Sequence, residues 1–303
     1  MIFQPFLRDE MAGSIQQIQQ ELTALETAIA ELAQEFEKVY RNYLAALGQA
    51  LSQQLVLACY HLCTQGYPES FLQLSFSQRQ KFQQNLRELS KEAQTELLEL
   101  VSPTQPLKES SQPLELASTD QDESPPNAEP QTLVETQSED LNRLPFLKPL
   151  DQPPTLPEQL AEWQEQIESA MSRLLSQLSR NTNFLIQEFN IFAPKLPEAI
   201  LEVASQAEAA AEAVAGPPNL LNIMIETEDT EEPQSASITR IMTIHLRLSE
   251  IEFADAKLMA ERHQIRHLSG QLSQLKHDYH KKQRERAVLE AESAWRASWF
   301  DTD

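Results

Sequence analysis

The chain has 303 residues, enough for about two domains at roughly 150 residues each, and its formal net charge is −22. Only five glycines, Gly13, Gly48, Gly66, Gly216 and Gly270, serve the whole length. Neither GxGxxG nor GxxxxGK(S/T) occurs, which excludes the two common nucleotide-binding fingerprints. Cys59 and Cys63 are too few for a disulfide framework and are spaced CxxxC, so they read as small buried apolar residues. The opening "MIFQPFLRDEM" has no positive n-region, so it does not read as a signal peptide. No apolar run approaches the ~18–20 residues that span a bilayer. The expectation is a soluble, cytoplasmic chain.

The helical signal starts at Met11. Residues 1–10 therefore read as a tail, and Met11 as a candidate translation start. From there Ile15, Ile18, Leu22, Leu25, Ile29, Leu32, Phe36, Val39, Tyr43 and Ala46 alternate spacings of three and four. A seam held over several heptads is the sequence sign of a coiled coil, because a straight helix drifts ~20° per heptad from a 3.5-residue repeat. The alternative is a long helix inside one globular bundle. After Gly48, "LVLACYHLC" (55–63) is apolar on several faces, as buried helices are. "TQGYPES" (64–70) then breaks the helix, with Gly66 near a C-cap position and Pro68 following. Ser77 and Gln80 read as a capping box for a returning helix that carries Phe82, Leu86, Leu89, Ala93 and Leu97. Residues 11–101 thus read as a helical hairpin whose shorter second arm leaves part of the seam needing another partner, either a second copy or another helix of this chain.

Residues 102–156 are rich in Pro, Ser and acid and read as a disordered acidic linker. It carries one apolar island, "LNRLPFLKPL" (141–150), a candidate docking motif. Residues 157–215 read as a helical unit. Its stripe is Leu160, Trp163, Ile167, Met171, Leu174 and Leu178, and "RNTN" (180–183) is a candidate bend. Phe184, Leu185 and Phe189 follow, then an Ala-rich helix over about 197–215. Residues 216–236 read as an acidic loop with one short strand or packed tail around 220–226. Residues 237–303 read as a long basic coiled-coil helix, with Ile244, Ile251, Leu258, Ile265, Leu272 and Tyr279 recurring every seven residues. Ile241 and Leu248 flank this stripe first, and Leu268 and Leu275 later, on its other side. Asp255 and Arg262 interrupt the first flank. The shifting face predicts a change of packing partner. "IMTIHLRL" also alternates with period two, so a strand at 238–248 paired with 220–226 is the alternative. The helical template is preferred here because Ile241, Ile244, Leu248 and Ile251 fit it.

The fold class expected is therefore all-α, with long coiled-coil helices and hairpins joined by acidic linkers. Within it, residues 257–286 carry eight basic and three acidic side chains and four of the six histidines. His263 and His267 stand one turn apart in HQIRH. This motif lacks the Glu of HExxH and lies beside Arg262 and Arg266, so no metal site is assigned. Imidazoles titrate near ~6.5, so a pH-sensitive contact is a further reading of these histidines. No catalytic set and no cofactor site is found. The candidate interaction residues are Ile15, Ile18, Leu22, Leu25, Ile29 and Leu32 on the seam; Lys276, Lys281, Lys282, Arg284 and Arg286 on the basic helix; and Trp295, Trp299 and Phe300 at the end, where tryptophans at i, i+4 share a face. The expected partner is this protein itself or another coiled-coil protein. An in-cis contact of the basic helix with the acidic segments 120–140 and 226–232 is a further expectation. An anionic membrane surface ranks second, and nucleic acid third for lack of an aromatic platform or DNA-binding motif. The functional expectation is a non-enzymatic adaptor or scaffold. The alternative is a peripheral membrane-organising protein that uses the basic helix.

Overall fold

The computed structural model describes residues 4–101, 154–192, 217–228 and 236–298, with side chains for all of these except 4–12, 223–228, 236–240 and 297. These residues are mostly helical. Helix α1 (Gln4–His61) runs 58 residues, about 87 Å at 1.5 Å per residue. It begins ahead of Met11, so residues 4–10 belong to the first helix and not to a separate tail. A π-helical turn (Leu62–Gly66) ends it, followed by α2 (Pro68–Gln73) and α3 (Phe76–Glu99). Next come α4 (Pro157–Glu188), strands β1 (Leu220–Glu228) and β2 (Ala236–Ile244), α5 (Leu248–Ala254) and α6 (Ala256–Ser298). The linker, its island 141–150, the Ala-rich helix and the acidic loop 229–235 lie outside the described residues.

Helix α3 packs against α1, and its capping box is one Ser earlier than expected, at Ser75. The Ser75 hydroxyl accepts from the Gln78 amide at 3.2 Å, and the Gln78 side chain accepts from the Ser75 amide at 2.8 Å. Both Ser75 and Ser77 have Gln three residues on. The chain takes the earlier pair because Leu74, in extended backbone just before it, is buried. Gly48 sits where α1 meets α3: a Cβ there would lie 2.7 Å from Gln94 Cγ.

The main partner of α1 is α6, not α3. The two run antiparallel in one steady register. The Arg262 guanidinium lies over the Tyr43 ring, Tyr279 donates to Glu26, Lys282 pairs with Glu21 and Arg286 donates to Gln19. Helix α4 also runs antiparallel to α6, with Glu168 on Arg262, Gln164 on Ser269 and Glu158 on His280. One core draws on all of these elements. Phe36, Tyr40, Tyr43, Leu44, Leu47, Leu51, Leu160, Ile167, Met171, Ile251, Leu258 and Ile265 are all nearly inaccessible. The units that read as separate in sequence thus pack together.

The segment 237–247 is not helix. β2 pairs antiparallel with β1, with Leu220 opposite Ile244 and Glu228 opposite Ala236. β-branched Ile and Thr favour the extended form, and β1 supplies the ladder that the helical reading ignored. The outer edge of β2 is closed by side chains. The Tyr67 hydroxyl accepts from the Met242 amide at 2.9 Å and donates to its carbonyl at 3.2 Å. The Asn183 amide group bonds both the Ile244 carbonyl and amide at 2.9 Å. Ser179 accepts from the Leu246 amide at 3.0 Å. "RNTN" therefore does not interrupt α4, which continues to Glu188. The π turn serves the same edge by presenting Tyr67. Gly66 does not take the left-handed C-cap conformation; its place is set by Met242 Sδ, which would lie 3.0 Å from a Cβ.

At the other end, α4 starts level with His280. Before about residue 25 of α1, and past about residue 282 of α6, burial narrows to one stripe per helix: Ile15, Ile18, Leu22 and Leu25 on one, Lys282, Gln283, Arg286, Leu289 and Ser293 on the other. This is a two-helix arm standing off the multi-helix body.

Candidate functional site

Four helices converge on Arg262. Its guanidinium forks onto Glu168 of α4 at 2.5 and 3.0 Å, and its Nε meets Glu252 of α5 at 2.6 Å. Tyr43 of α1 donates to the same Glu252 at 2.6 Å and lies under the guanidinium, 4.8 Å from its ring centroid. Tyr40 donates to Glu168 at 2.8 Å and stands edge-on to Trp163. Arg262 and Glu252 side chains are 11% and 9% exposed, Glu168 33%. A buried Arg survives only with its charge matched and its fork filled, and both conditions hold here.

The break between α5 and α6 makes this geometry. Asp255 is extended and caps α6, accepting from the amides of Lys257 at 2.8 Å and Leu258 at 3.1 Å. The chain therefore turns between Glu252 and Arg262, and the two side chains face each other. Upstream, Asn219 has positive φ and its side chain accepts from the Arg247 amide at 3.1 Å. Its own amide bonds the Glu250 carboxylate, which also pairs with Arg247 at 2.8 Å. These contacts fix the entry to α5.

Electrostatics hold the protons of Tyr40, Tyr43 and Arg262 in place. Burial raises the Tyr40 and Tyr43 hydroxyls far above the ordinary phenol range, with Glu168 adding to the first and Glu252 to the second. Burial works against the Arg262 charge, but the hydrogen bonds and charges of Glu168 and Glu252 outweigh it, so the guanidinium stays protonated. The cluster joins helices and orients them. Beside it is a shallow groove of about 440 Å3, bordered by Gln164, Ser249, Arg262, Arg266 and Ser269.

The expected interaction residues divide. Leu22, Ile29 and Leu32 are buried, and Ile15, Ile18 and Leu25 partly so, all on the side of α1 that meets α6. Lys282 pairs with Glu21 at 2.8 Å and Glu285 at 2.9 Å, and Arg286 donates to Gln19 at 2.9 Å. Lys276, Lys281 and Arg284 are exposed. Trp295 is 66% exposed; Trp299 and Phe300 lie outside the described residues. The acidic side chains that meet α6 here are Glu21, Glu26, Glu158, Glu168 and Glu252. Of the two acidic segments expected to do so, 120–140 lies outside the described residues, and 226–232 lies outside them but for the backbone of 226–228.

Sequence reasoning missed Glu168, Glu252, Tyr40 and Asn183. One signal was present: Asp255 and Arg262, the two polar residues that interrupt the heptad flank. A charge inside an apolar stripe asks for a buried partner, and a lone Asp asks for a cap. Comparison with protein-family models, with curated proteins and with solved structures finds no match. Among the described residues no helix is long and apolar enough to cross a membrane, and no three His, Cys, Asp or Glu side chains gather as a metal-binding group.

Proposed function

We propose that this protein is a non-enzymatic, cytoplasmic adaptor or scaffold, in which α1 and α6 form an antiparallel coiled coil and the acidic linkers give reach. The observation that carries this reading is the two-helix arm. Its apolar stripe is spent between α1 and α6, while its flanks and Trp295 face solvent, away from the multi-helix body. A long, narrow, polar-flanked helix pair presents side chains to a partner without disturbing the core that holds it. The partner proposed is another protein. A peripheral membrane role through α6 has weaker support, because the buried apolar stripe of that helix is turned onto α1 and its exposed side chains from His263 to Arg284 are polar.

The test places a photo-crosslinking residue, one at a time, at the exposed arm positions Gln20, Thr23 and Val288 and at Gln84 on α3. The same protein adduct should form from the arm positions in cells and be absent from Gln84. No adduct from any arm position, or equal adducts from Gln84, contradicts the reading. Flotation on phosphatidylserine vesicles that persists in 0.5 M salt would favour the membrane role instead.

A further inference from the structure

Most basic side chains of α6 fall into two sets. Arg262, Lys282 and Arg286 turn inward or flankward and are matched by Glu168, Glu252, Glu21 and Gln19. His263, Arg266, His267, His277, Lys281 and Arg284 fall on the opposite, solvent face, and all are exposed. Residues at 263, 266/267, 270, 273/274, 277, 281 and 284 follow helical spacing, so this is one straight row. It extends about 32 Å at 1.5 Å per residue. Among the ion pairs of the described residues, none involves Arg266, Lys281 or Arg284. The exposed residues from His263 to Arg284 include no apolar side chain, Gly270 aside. A row that is cationic and not apolar, on a chain with net charge −22, suits an extended acidic peptide better than a bilayer.

We infer that the acidic segment 120–140 of this same chain docks along the outward basic row of α6. Residues 120–140 hold seven acidic and no basic side chains. The chain that leads from them enters α4 beside the row, since Glu158, the second residue of α4, pairs with His280 at 2.7 Å. The sixteen residues 141–156 span up to about 55 Å when extended, which exceeds the length of the row. A tethered acid meets the row at millimolar effective concentration, whereas a free polyanion must approach a strongly acidic protein. Docking makes the row a covered surface that an external acidic partner reaches only by displacing the segment. The docking does not depend on which protein the arm meets, so the arm crosslinking and the tests below can fail separately.

Two measurements on the full chain test it. In the first, a mixture of unlabelled and 15N-labelled protein is treated with a carbodiimide, which joins carboxylates to amines at zero length. Lys281, the amine on the row, should couple to carboxylates within 120–140, in peptides of matched isotope only, with yield falling about five-fold or more in 0.5 M salt. Mixed-isotope peptides, or coupling of Lys281 only elsewhere, overturn the inference. In the second, a fluorescent polyglutamate peptide is titrated into the wild type and into a variant with the seven acids of 120–140 changed to Asn or Gln. Removal of the cover should tighten probe binding about ten-fold, and R266E/R284E should abolish the gain. Equal binding by wild type and variant overturns it, as does equal and tight binding of both to phosphatidylserine vesicles or to single-stranded RNA, which would mark the row as open.

Discussion

Arg262 and Glu168 stand 94 residues apart and meet as a two-pronged ion pair, at 2.5 and 3.0 Å, under the Tyr40 hydroxyl. This contact, with Glu252 on the other side of the guanidinium, ties α4, α5 and α6 to α1 at one level of the body. Removing one partner strands a buried charge, whereas replacing the whole group with apolar residues need not be costly. R262A should therefore destabilise by about 3 kcal/mol or more, measured as a shift of the urea midpoint. R262K keeps the charge but loses the fork, so it should recover only part of that loss. Full stability in R262A would contradict the account.

The strand edge makes a second prediction. Tyr67 and Asn183 each satisfy both backbone groups of one β2 residue. N183A should cost about 1–3 kcal/mol, the usual penalty for stranding buried hydrogen-bonding groups. Its signature is local: amide hydrogen exchange should accelerate at Met242, Ile244 and Leu246 before it does in α1. Y67F should speed exchange at Met242 in the same way. Unchanged exchange in both variants would mean that the edge is held by something else.

Gly48 tests the α1–α3 contact. Ala is favoured over Gly in a helix by about 1 kcal/mol, yet a Cβ at residue 48 would meet Gln94 Cγ at 2.7 Å. G48A alone should therefore give little or no gain in stability, or a loss. G48A in a Q94A background should recover the full helix-propensity gain. A gain of the full size in G48A alone would show that the helices are not this close.

Buried thiols and phenols set an alkaline limit. Burial pushes the Cys63 thiol up to about 12, and Cys59 is also raised by burial and by Cys63. In the unfolded chain thiols ionise from about pH 8.5 and phenols from about pH 10. Above those values the unfolded state binds fewer protons than the folded one, so stability falls as pH rises. Unfolding free energy should be flat from these groups below about pH 8 and decline from there through pH 11. In the folded protein at pH 8 both cysteines should resist a thiol reagent that labels them at once in urea. Rapid labelling of the folded chain would contradict the burial of either thiol.

The heptad seam of α1 was legible because ten apolar positions keep one register, and the need for a partner beyond α3 followed from the unequal arms. The identity of that partner was not legible, since a seam states that something covers it and not which helix. The segment 238–248 misled because Ile241, Ile244, Leu248 and Ile251 also fit a helical period. Strand pairing is a long-range property that no local window contains. The basic stretch was visible as a net charge, but its division into inward and outward cations depends on the rotation of α6 against α1. The Arg262 cluster needed Glu168 and Glu252 to be brought together across distant segments, and only the interruption of the apolar stripe announced it.

The central claim is that the N-terminal seam is closed by α6 of the same chain. Light scattering of the full-length protein across a hundred-fold range of concentration tests it most directly. The account predicts the mass of one 34.5 kDa chain throughout, with an E26C/Y279C variant forming its disulfide within a single chain. A dimer that persists on dilution, with that disulfide joining two chains, would show that the seam pairs two copies and would contradict it.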